Sequence, residues 1–272
     1  MKKIILFVVT AVLLVSPFVA ASTMTSSEET YPGGDMPKTT SDFTHTVFIE
    51  EGVTTWCPNC PNAAKALYSL YNTSEDPFYF VALVTDKNPI AQNRSWWHYL
   101  EYAIPTIFVD GGFSQLVGKS PEYRSYIEGA GARTVHPLEL ITTVTGHGVA
   151  TLDITVTVKN TGSKPYFGYV RSYVTEIVSR WNDQKGNPFN FGFLDYAIIN
   201  VIFLAPQQSR TYTMTWDGAA NHRGVTFPDI VDDNIMVITA VAHWLPHFIA
   251  KEEYIGPHFA FYVDQTVGAL VE

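Results

Sequence analysis

Residues 45–60 read HTVFIEEGVTTWCPNC, and this stretch decides the fold of the first half of the chain. Residues 45–50 alternate in hydrophobicity as a β-strand does, and the strand continues into a turn that ends at Cys60. Residues 61–71, PNAAKALYSLY, have the Ala/Leu content and the spacing of a helix. The sequence therefore predicts a strand, a turn and a helix, with Cys57 and Cys60 at the junction.

Two cysteines at the start of a helix have a chemical consequence. The unpaired N–H groups of the first turn and the positive end of the helix dipole favour a thiolate, so we expect Cys57 to act as the nucleophile. Cys60 lies one turn further on, where it can close a local disulfide with Cys57 and release a bound partner. Pro58 stiffens the turn between them without removing a needed donor.

Strands and helices alternate in the rest of this half, which we assign to residues 43–134. The hydrophobic run at residues 78–85, FYFVALVT, is typical of a strand that is covered on both faces. The apolar spacing also predicts strands over residues 104–109 and 113–117 and helices over residues 90–102 and 121–132.

The motif Trp-Cys-Pro-Asn-Cys at residues 56–60, with Ile-Pro-Thr at residues 104–106, resembles the thioredoxin superfamily. The resemblance implies a minimal α/β thioredoxin-like fold. It also implies that the Ile104–Pro105 peptide bond is cis and faces the disulfide. The backbone of Ile104 would then pair with a substrate peptide. The predicted substrate-binding residues are Trp56, Pro58, Asn59, Ile104 and Pro105.

The same resemblance implies a proton carrier on the first strand. Glu51 stands at the position of the family's buried acid, and its hypothetical role is to accept the Cys60 proton during exchange. Glu50 competes for this role because a slip of one residue swaps the two faces of a strand.

Other interpretations of the cysteine pair stay open. A passive structural disulfide is one alternative, and half of a zinc site is another, although the chain has no second cysteine pair to complete such a site. Asn59 carries no charge that would stabilise a Cys57 thiolate, so the direction of electron flow is also open.

Short alternating runs separated by turn residues dominate residues 135–272. They resemble the immunoglobulin or fibronectin type III pattern and predict an all-β antiparallel sandwich. The predicted strands cover residues 138–145, 151–158, 166–178, 196–204, 210–216, 235–244 and 259–263. The aromatic stretch NPFNFGF at residues 187–193 is interpreted as a loop that packs against the first half, with a contact surface for a partner as the alternative. His243 and His247 lack the ligand count of a metal site, so no metal and no organic cofactor are expected.

The N-terminus predicts export. Residues 1–21 combine two lysines, an apolar run and small residues near Ala21, as a signal peptide does, and an uncleaved membrane anchor is the alternative. Residues 22–42 have the composition of a flexible linker. We therefore expect an extracytoplasmic protein, secreted or on the cell surface, in which Asn72 and Asn93 are candidate glycosylation sites.

Composition excludes some classes of function. The chain has 272 residues, 46% of them hydrophobic, and a formal net charge of −9, which argues against disorder and against nucleic-acid binding. We expect a thiol–disulfide oxidoreductase acting on cysteine-containing proteins or small thiols. The alternative is a surface interaction protein with a purely structural disulfide, associated with a membrane or cell surface through an uncleaved leader or through the sandwich.

Overall fold

The computed structural model describes residues 43–118 and 123–272, so the predicted leader and linker lie outside the described residues. Three α-helices occur in this part of the chain: α1 (Cys60–Thr73), α2 (Pro89–Gln92) and α3 (Tyr123–Gly131). The predicted helix over residues 90–102 is shorter than expected, because α2 passes directly into a π-helical turn at Asn93–His98.

Thirteen strands account for most of the regular structure of the described residues. The first half contributes β1 (Val47–Val53), β2 (Phe78–Val84), β3 (Thr106–Val109) and β4 (Ser114–Val117). The second half contributes β5 (Leu138–Gly146), β6 (Thr151–Asn160), β7 (Tyr166–Asn182), β8 (Pro188–Leu204), β9 (Ser209–Asp217), β10 (Ile235–His243), β11 (His247–Ile249), β12 (His258–Ala260) and β13 (Val263–Leu270).

Eight of these strands form one mixed sheet in the order β13-β10-β7-β8-β2-β1-β3-β4. β1 and β2 are parallel and form its centre together with β8, which meets β2 in parallel where Ala82 pairs with Gly192. A Cβ atom at Gly192 would collide with the side chain of Ser179 on β7, so the packing of β8 against β7 favours glycine at this position. β5, β6 and β9 form a separate antiparallel sheet, and β11 and β12 form a small hairpin.

Two hydrophobic cores lie on the sheets. One joins side chains from both halves of the chain, for example Phe48 and Tyr173, whose ring centroids are 4.9 Å apart. The other includes Val156 of β6 and Val237 of β10, both fully buried, and so lies between the large sheet and the three-stranded sheet. Asn88 adds a polar link, because its amide donates to the carbonyls of Phe193 and Leu194 at 2.7 and 2.8 Å.

The expected fold class, an α/β thioredoxin-like fold followed by an all-β antiparallel sandwich, is wrong. The structure is mostly β, and strands from both halves belong to the same mixed sheet. The immunoglobulin or fibronectin type III resemblance fails for the same reason, since four strands of the second half continue the sheet of the first. The hydrophobic pattern predicted individual strands, but it contains no information about which strand pairs with which.

Candidate functional site

Cys57 and Cys60 form a disulfide at the N-terminus of α1, as the sequence predicted. The backbone N–H of Cys57 donates to the carbonyl of Thr54 at 3.4 Å, which closes the turn after β1. The N–H of Cys60 donates to the Sγ atom of Cys57 at 3.1 Å. One of the unpaired donors of the first helical turn therefore points at the Cys57 sulfur.

Apolar side chains from both halves of the chain surround the disulfide. Val53 of β1 and Ala82 and Val84 of β2 belong to this cluster. Phe189 of β8 is buried in it, and Trp181 of β7 packs against it. The prediction that the aromatic stretch packs against the first half is confirmed, although this stretch is the start of a strand and not a loop.

The predicted peptide-binding residues belong to two segments, the motif around the cysteines and the Ile104–Pro105 bond. The Ile104–Pro105 peptide bond is cis, and the carbonyl oxygen of Ile104 lies 3.9 Å from the Cys57 Sγ. Trp56, Pro58 and Asn59 are exposed, and Trp56 has 61% of its surface accessible. The two cysteines are themselves buried, at 2% and 0% exposure. Of the five predicted binding residues, Trp56, Pro58 and Asn59 adjoin the cysteines in the chain. Ile104 reaches the Cys57 sulfur with its carbonyl oxygen, and Pro105 follows it through the cis bond.

Glu51 is a buried acid without a partner. Neither of its carboxylate oxygens has a hydrogen-bond partner among the described residues. Burial, and secondly the charge of Glu101, raises the pKa of Glu51 to about 8. The alternation of β1 places Glu51 on the same face as Val53, which packs with both cysteines. The carboxyl is therefore protonated at neutral pH and lies on the face of the disulfide.

Glu50, the alternative carrier, is fully engaged on the opposite face. Arg94 donates to both of its carboxylate oxygens at 2.8 and 2.7 Å. The hydroxyls of Tyr99 and Tyr173 donate to it as well, at 2.5 and 3.1 Å. Burial alone would raise the pKa of Glu50, but the Arg94 guanidinium holds it below its usual value. Glu50 is a structural anchor, which leaves Glu51 as the free acid.

Sequence reasoning missed Glu101. This side chain is buried, and burial raises its pKa to about 8. The hydroxyl of Ser95 donates to its carboxylate, which packs so closely over Gly52 that a Cβ atom there would collide with it. The sequence did contain a signal for this residue, because Glu101 is an acidic residue within the mostly apolar segment that leads to Ile104.

No helix in the described part of the chain is both long and apolar enough to cross a membrane.

Comparisons with known proteins concern the fold only. No protein-family model matches the chain, and no curated protein matches it. The solved structure titled HBP35 of Porphyromonas gingivalis aligns over 84% of this chain and 76% of its own length, at 16% identity and a TM-score of 0.61. The shared fold extends over most of this chain, and strands of both halves build its large mixed sheet, so the thioredoxin resemblance expected from the motif is wrong as a description of the fold.

Two further solved structures are less similar to this chain. Protein AGR_C_4864 from Agrobacterium tumefaciens covers 83% of this chain and 95% of its own, at 13% identity and a TM-score of 0.43. A beta-glucosidase from Listeria innocua in complex with isofagomine covers 50% of this chain and 16% of its own, at 13% identity and a TM-score of 0.28.

Proposed function

We propose that this protein is a thiol–disulfide oxidoreductase acting on cysteine-containing proteins or small thiols. The observation that supports it best is the disulfide at the N-terminus of α1, where a backbone N–H already points at the Cys57 sulfur. A peptide N–H and the helix dipole stabilise negative charge on that sulfur once the bond is broken. Cys57 is thus suited to be the sulfur that exchanges with substrate.

The oxidation of a substrate dithiol takes two exchanges. A substrate thiolate attacks the Cys57 Sγ, the Cys57–Cys60 bond breaks, and its electron pair leaves on the Cys60 Sγ. A second substrate thiolate then attacks the substrate sulfur of this mixed disulfide and releases Cys57 as a thiolate. The substrate has lost two electrons and become a disulfide, and the protein has become a dithiol. Reduction of a substrate disulfide is the same sequence in reverse, begun by the Cys57 thiolate.

Glu51 supplies the proton that this reaction needs. With a pKa of about 8 it is protonated at neutral pH, so it can protonate the departing Cys60 thiolate. In the reverse direction the Glu51 carboxylate accepts the Cys60 proton. Its lack of any competing hydrogen-bond partner among the described residues leaves the acid free for this role.

We also propose that the protein works outside the cytoplasm. The predicted signal peptide over residues 1–21 and the presence of a disulfide support this location, because disulfides persist in oxidising compartments.

Trapping of a mixed disulfide tests the proposed exchange. In Cys60→Ser the resolving thiol is gone, so substrates should accumulate as adducts on Cys57 that disappear after reduction. Cys57→Ser is the matched control and should form none. Failure of folded Cys60→Ser to form an adduct with a model peptide that carries a disulfide, which the Cys57 thiolate can attack, would contradict the proposal.

A second candidate function is an interaction protein in which the disulfide is permanent. The observation that favours it is burial, since both cysteines are almost inaccessible beneath Phe189 and Trp181. The double change of Cys57 and Cys60 to Ser separates the two functions. It should abolish an oxidoreductase completely, whereas an interaction protein should lose stability and keep its binding.

A further inference from the structure

Two histidines outside the disulfide site face each other at the surface. His243 ends β10 and His247 begins β11, and the exposed residues Trp244, Leu245 and Pro246 connect them. The connection turns the chain back, so that the Nε2 atoms of the two imidazoles lie 3.1 Å apart. The sequence alone gave no reason to expect this, because a spacing of four residues in a strand and loop does not define a geometry.

A carboxylate fixes the orientation of the first ring. The Nδ1 atom of His243 lies 3.1 and 3.3 Å from the two carboxylate oxygens of Asp264, so Nδ1 carries the proton and donates it. The Nε2 atom of His243 is then a lone-pair donor directed at His247. Asp264 is buried, and the hydroxyl of Tyr166 donates to it at 3.2 Å. A carboxylate behind an imidazole is the usual support of a metal-binding histidine.

The sheet is irregular at the point that supplies this carboxylate. β10 and β13 pair Val241 with Gln265 and then Ala242 with Val263, so Asp264 is left out of the pairing as a β-bulge. Bulges of this kind redirect a side chain and are common beside functional sites. Here the bulge turns Asp264 toward His243.

The second ring is also held in place. His247 stacks on the ring of Tyr262 with centroids 3.8 Å apart and an interplanar angle of 8°. Both histidines are half-buried, and 24% of the His243 side chain is accessible, so solvent reaches the pair. The two rings are therefore pre-oriented, and water can complete the coordination of a bound ion.

We propose that His243 and His247 bind a divalent transition-metal ion of the borderline class, with Cu²⁺ the tightest. Imidazole nitrogens coordinate such ions at about 2.0–2.1 Å, which places two neighbouring ligands about 2.9–3.4 Å apart. The observed separation of 3.1 Å lies in this range. Imidazole suits Cu²⁺, Ni²⁺ and Zn²⁺, and Cu²⁺ is the strongest binder of the series.

We name the pair of His243 and His247 the histidine clamp. Two features limit its affinity for metal ions. No group of three or more His, Cys, Asp or Glu side chains in the described residues is arranged to hold a metal, so water must supply the remaining ligands. The guanidinium of Arg133 lies 5.5 Å from the Tyr262 ring and adds positive charge nearby, although Asp110 pairs with it at 2.8 Å. Both features weaken the binding of every divalent ion, so we expect measurable affinity chiefly for Cu²⁺, the strongest binder of the series.

Titration of the oxidised full chain with Cu²⁺ alone tests the clamp. The cysteines are then unavailable as ligands, and no thiol exchange is needed, so the result is independent of the proposed enzyme activity. We expect one site whose electron paramagnetic resonance spectrum shows two coordinated nitrogens. Binding no tighter than about 1 mM, or a spectrum without two nitrogens, would overturn the proposal and mean that the two rings are only hydrogen-bonded.

Variants identify the ligands. His243→Gln and His247→Gln should each weaken Cu²⁺ binding at least tenfold, and His147→Gln, at an exposed histidine, should leave it unchanged. Asp264→Asn tests the positioning role and should weaken binding about 10- to 100-fold while the two-nitrogen spectrum persists at saturation. Unchanged affinity in both clamp variants would overturn the proposal. If His243→Gln fails to fold by circular dichroism, His247→Gln, which lies in the short β11, still decides the question.

Discussion

The replacement of Glu51 by Gln should change how the stability of the protein depends on pH. Glu51 has a pKa of about 8 in the folded protein and 4.5 as its ordinary value, because burial disfavours the charged form. Between these two values the folded state holds a proton that the unfolded state has released. The free energy of unfolding therefore falls as the pH rises from about 4.5 to about 8. Above that range Glu51 causes no further change.

The size of the effect follows from the same values. At pH 7 the medium is about 2.5 pH units above the ordinary pKa, and each unit corresponds to about 1.4 kcal/mol, so the ionisation of Glu51 accounts for a loss of about 3 kcal/mol between pH 4.5 and pH 7. Glu101, whose pKa is also about 8, adds a loss of its own in wild type and variant alike. Glu51→Gln keeps the shape of the neutral acid and cannot ionise. Relative to wild type, the variant should gain about 3 kcal/mol in free energy of unfolding over this interval.

Urea unfolding of the oxidised protein, followed by tryptophan fluorescence at several pH values between about 5 and 8, measures this difference. Glu50→Gln, at the residue that precedes Glu51, is the matched control. Since Arg94 holds the pKa of Glu50 below its ordinary value of 4.5, Glu50 is ionised throughout this range, and Glu50→Gln should instead be less stable than wild type by about 3–5 kcal/mol at every pH between about 5 and 8. If wild type and Glu51→Gln change in parallel, Glu51 has an ordinary pKa, and its proposed role as a proton donor at neutral pH is wrong.

Three further changes test the environment of the site. Phe189→Ala should cost about 3–5 kcal/mol of unfolding free energy and speed reduction of the disulfide by dithiothreitol, because it opens the cluster around the cysteines; an unchanged rate would show that Phe189 does not limit access. Gly52→Ala should cost about 1–3 kcal/mol, as its Cβ runs into the Glu101 carboxylate, and a neutral result in thermal unfolding would contradict that packing. Tyr173→Phe removes a hydroxyl that donates to Glu50 and should cost about 1–3 kcal/mol in urea unfolding, with equal stability as the contrary outcome.

A surface substitution controls for the loss of an aromatic ring. Phe203 is 55% exposed, so Phe203→Ala should change the unfolding free energy by no more than about 0.5 kcal/mol and leave the reduction rate unchanged.

Local features of the site were predictable from the sequence. The alternation before Trp56 and the Ala/Leu spacing after Cys60 predicted the strand and the helix, and the structure has the disulfide between them. The strand and the helix depend on short-range sequence and on residue types with narrow conformational preferences. The Ile104–Pro105 bond is cis, as the resemblance of the motif implied and as the two residues alone do not predict. The choice between Glu50 and Glu51 needed the contacts of Arg94 and was not available from the pattern.

The arrangement of the sheet was not predictable in the same way. The pairing of Ala82 with Gly192 joins residues that are far apart in the sequence, and periodicity does not identify partners. Phe189 was interpreted as part of a loop, because Pro188 and the neighbouring asparagines have turn character, yet tertiary packing places it in a strand at the disulfide. The bulge at Asp264 is equally invisible in the sequence, since it arises from a register shift between two strands.

The reduction potential of the Cys57–Cys60 pair tests the central claim most directly. It is measured by equilibrating the folded protein with defined thiol/disulfide buffers and alkylating the free thiols. We predict reversible exchange with a potential between about −120 and −270 mV, the range of known exchange catalysts. A pair that stays oxidised below about −300 mV, or that exchanges only after unfolding, would contradict the account and assign the disulfide a purely structural role.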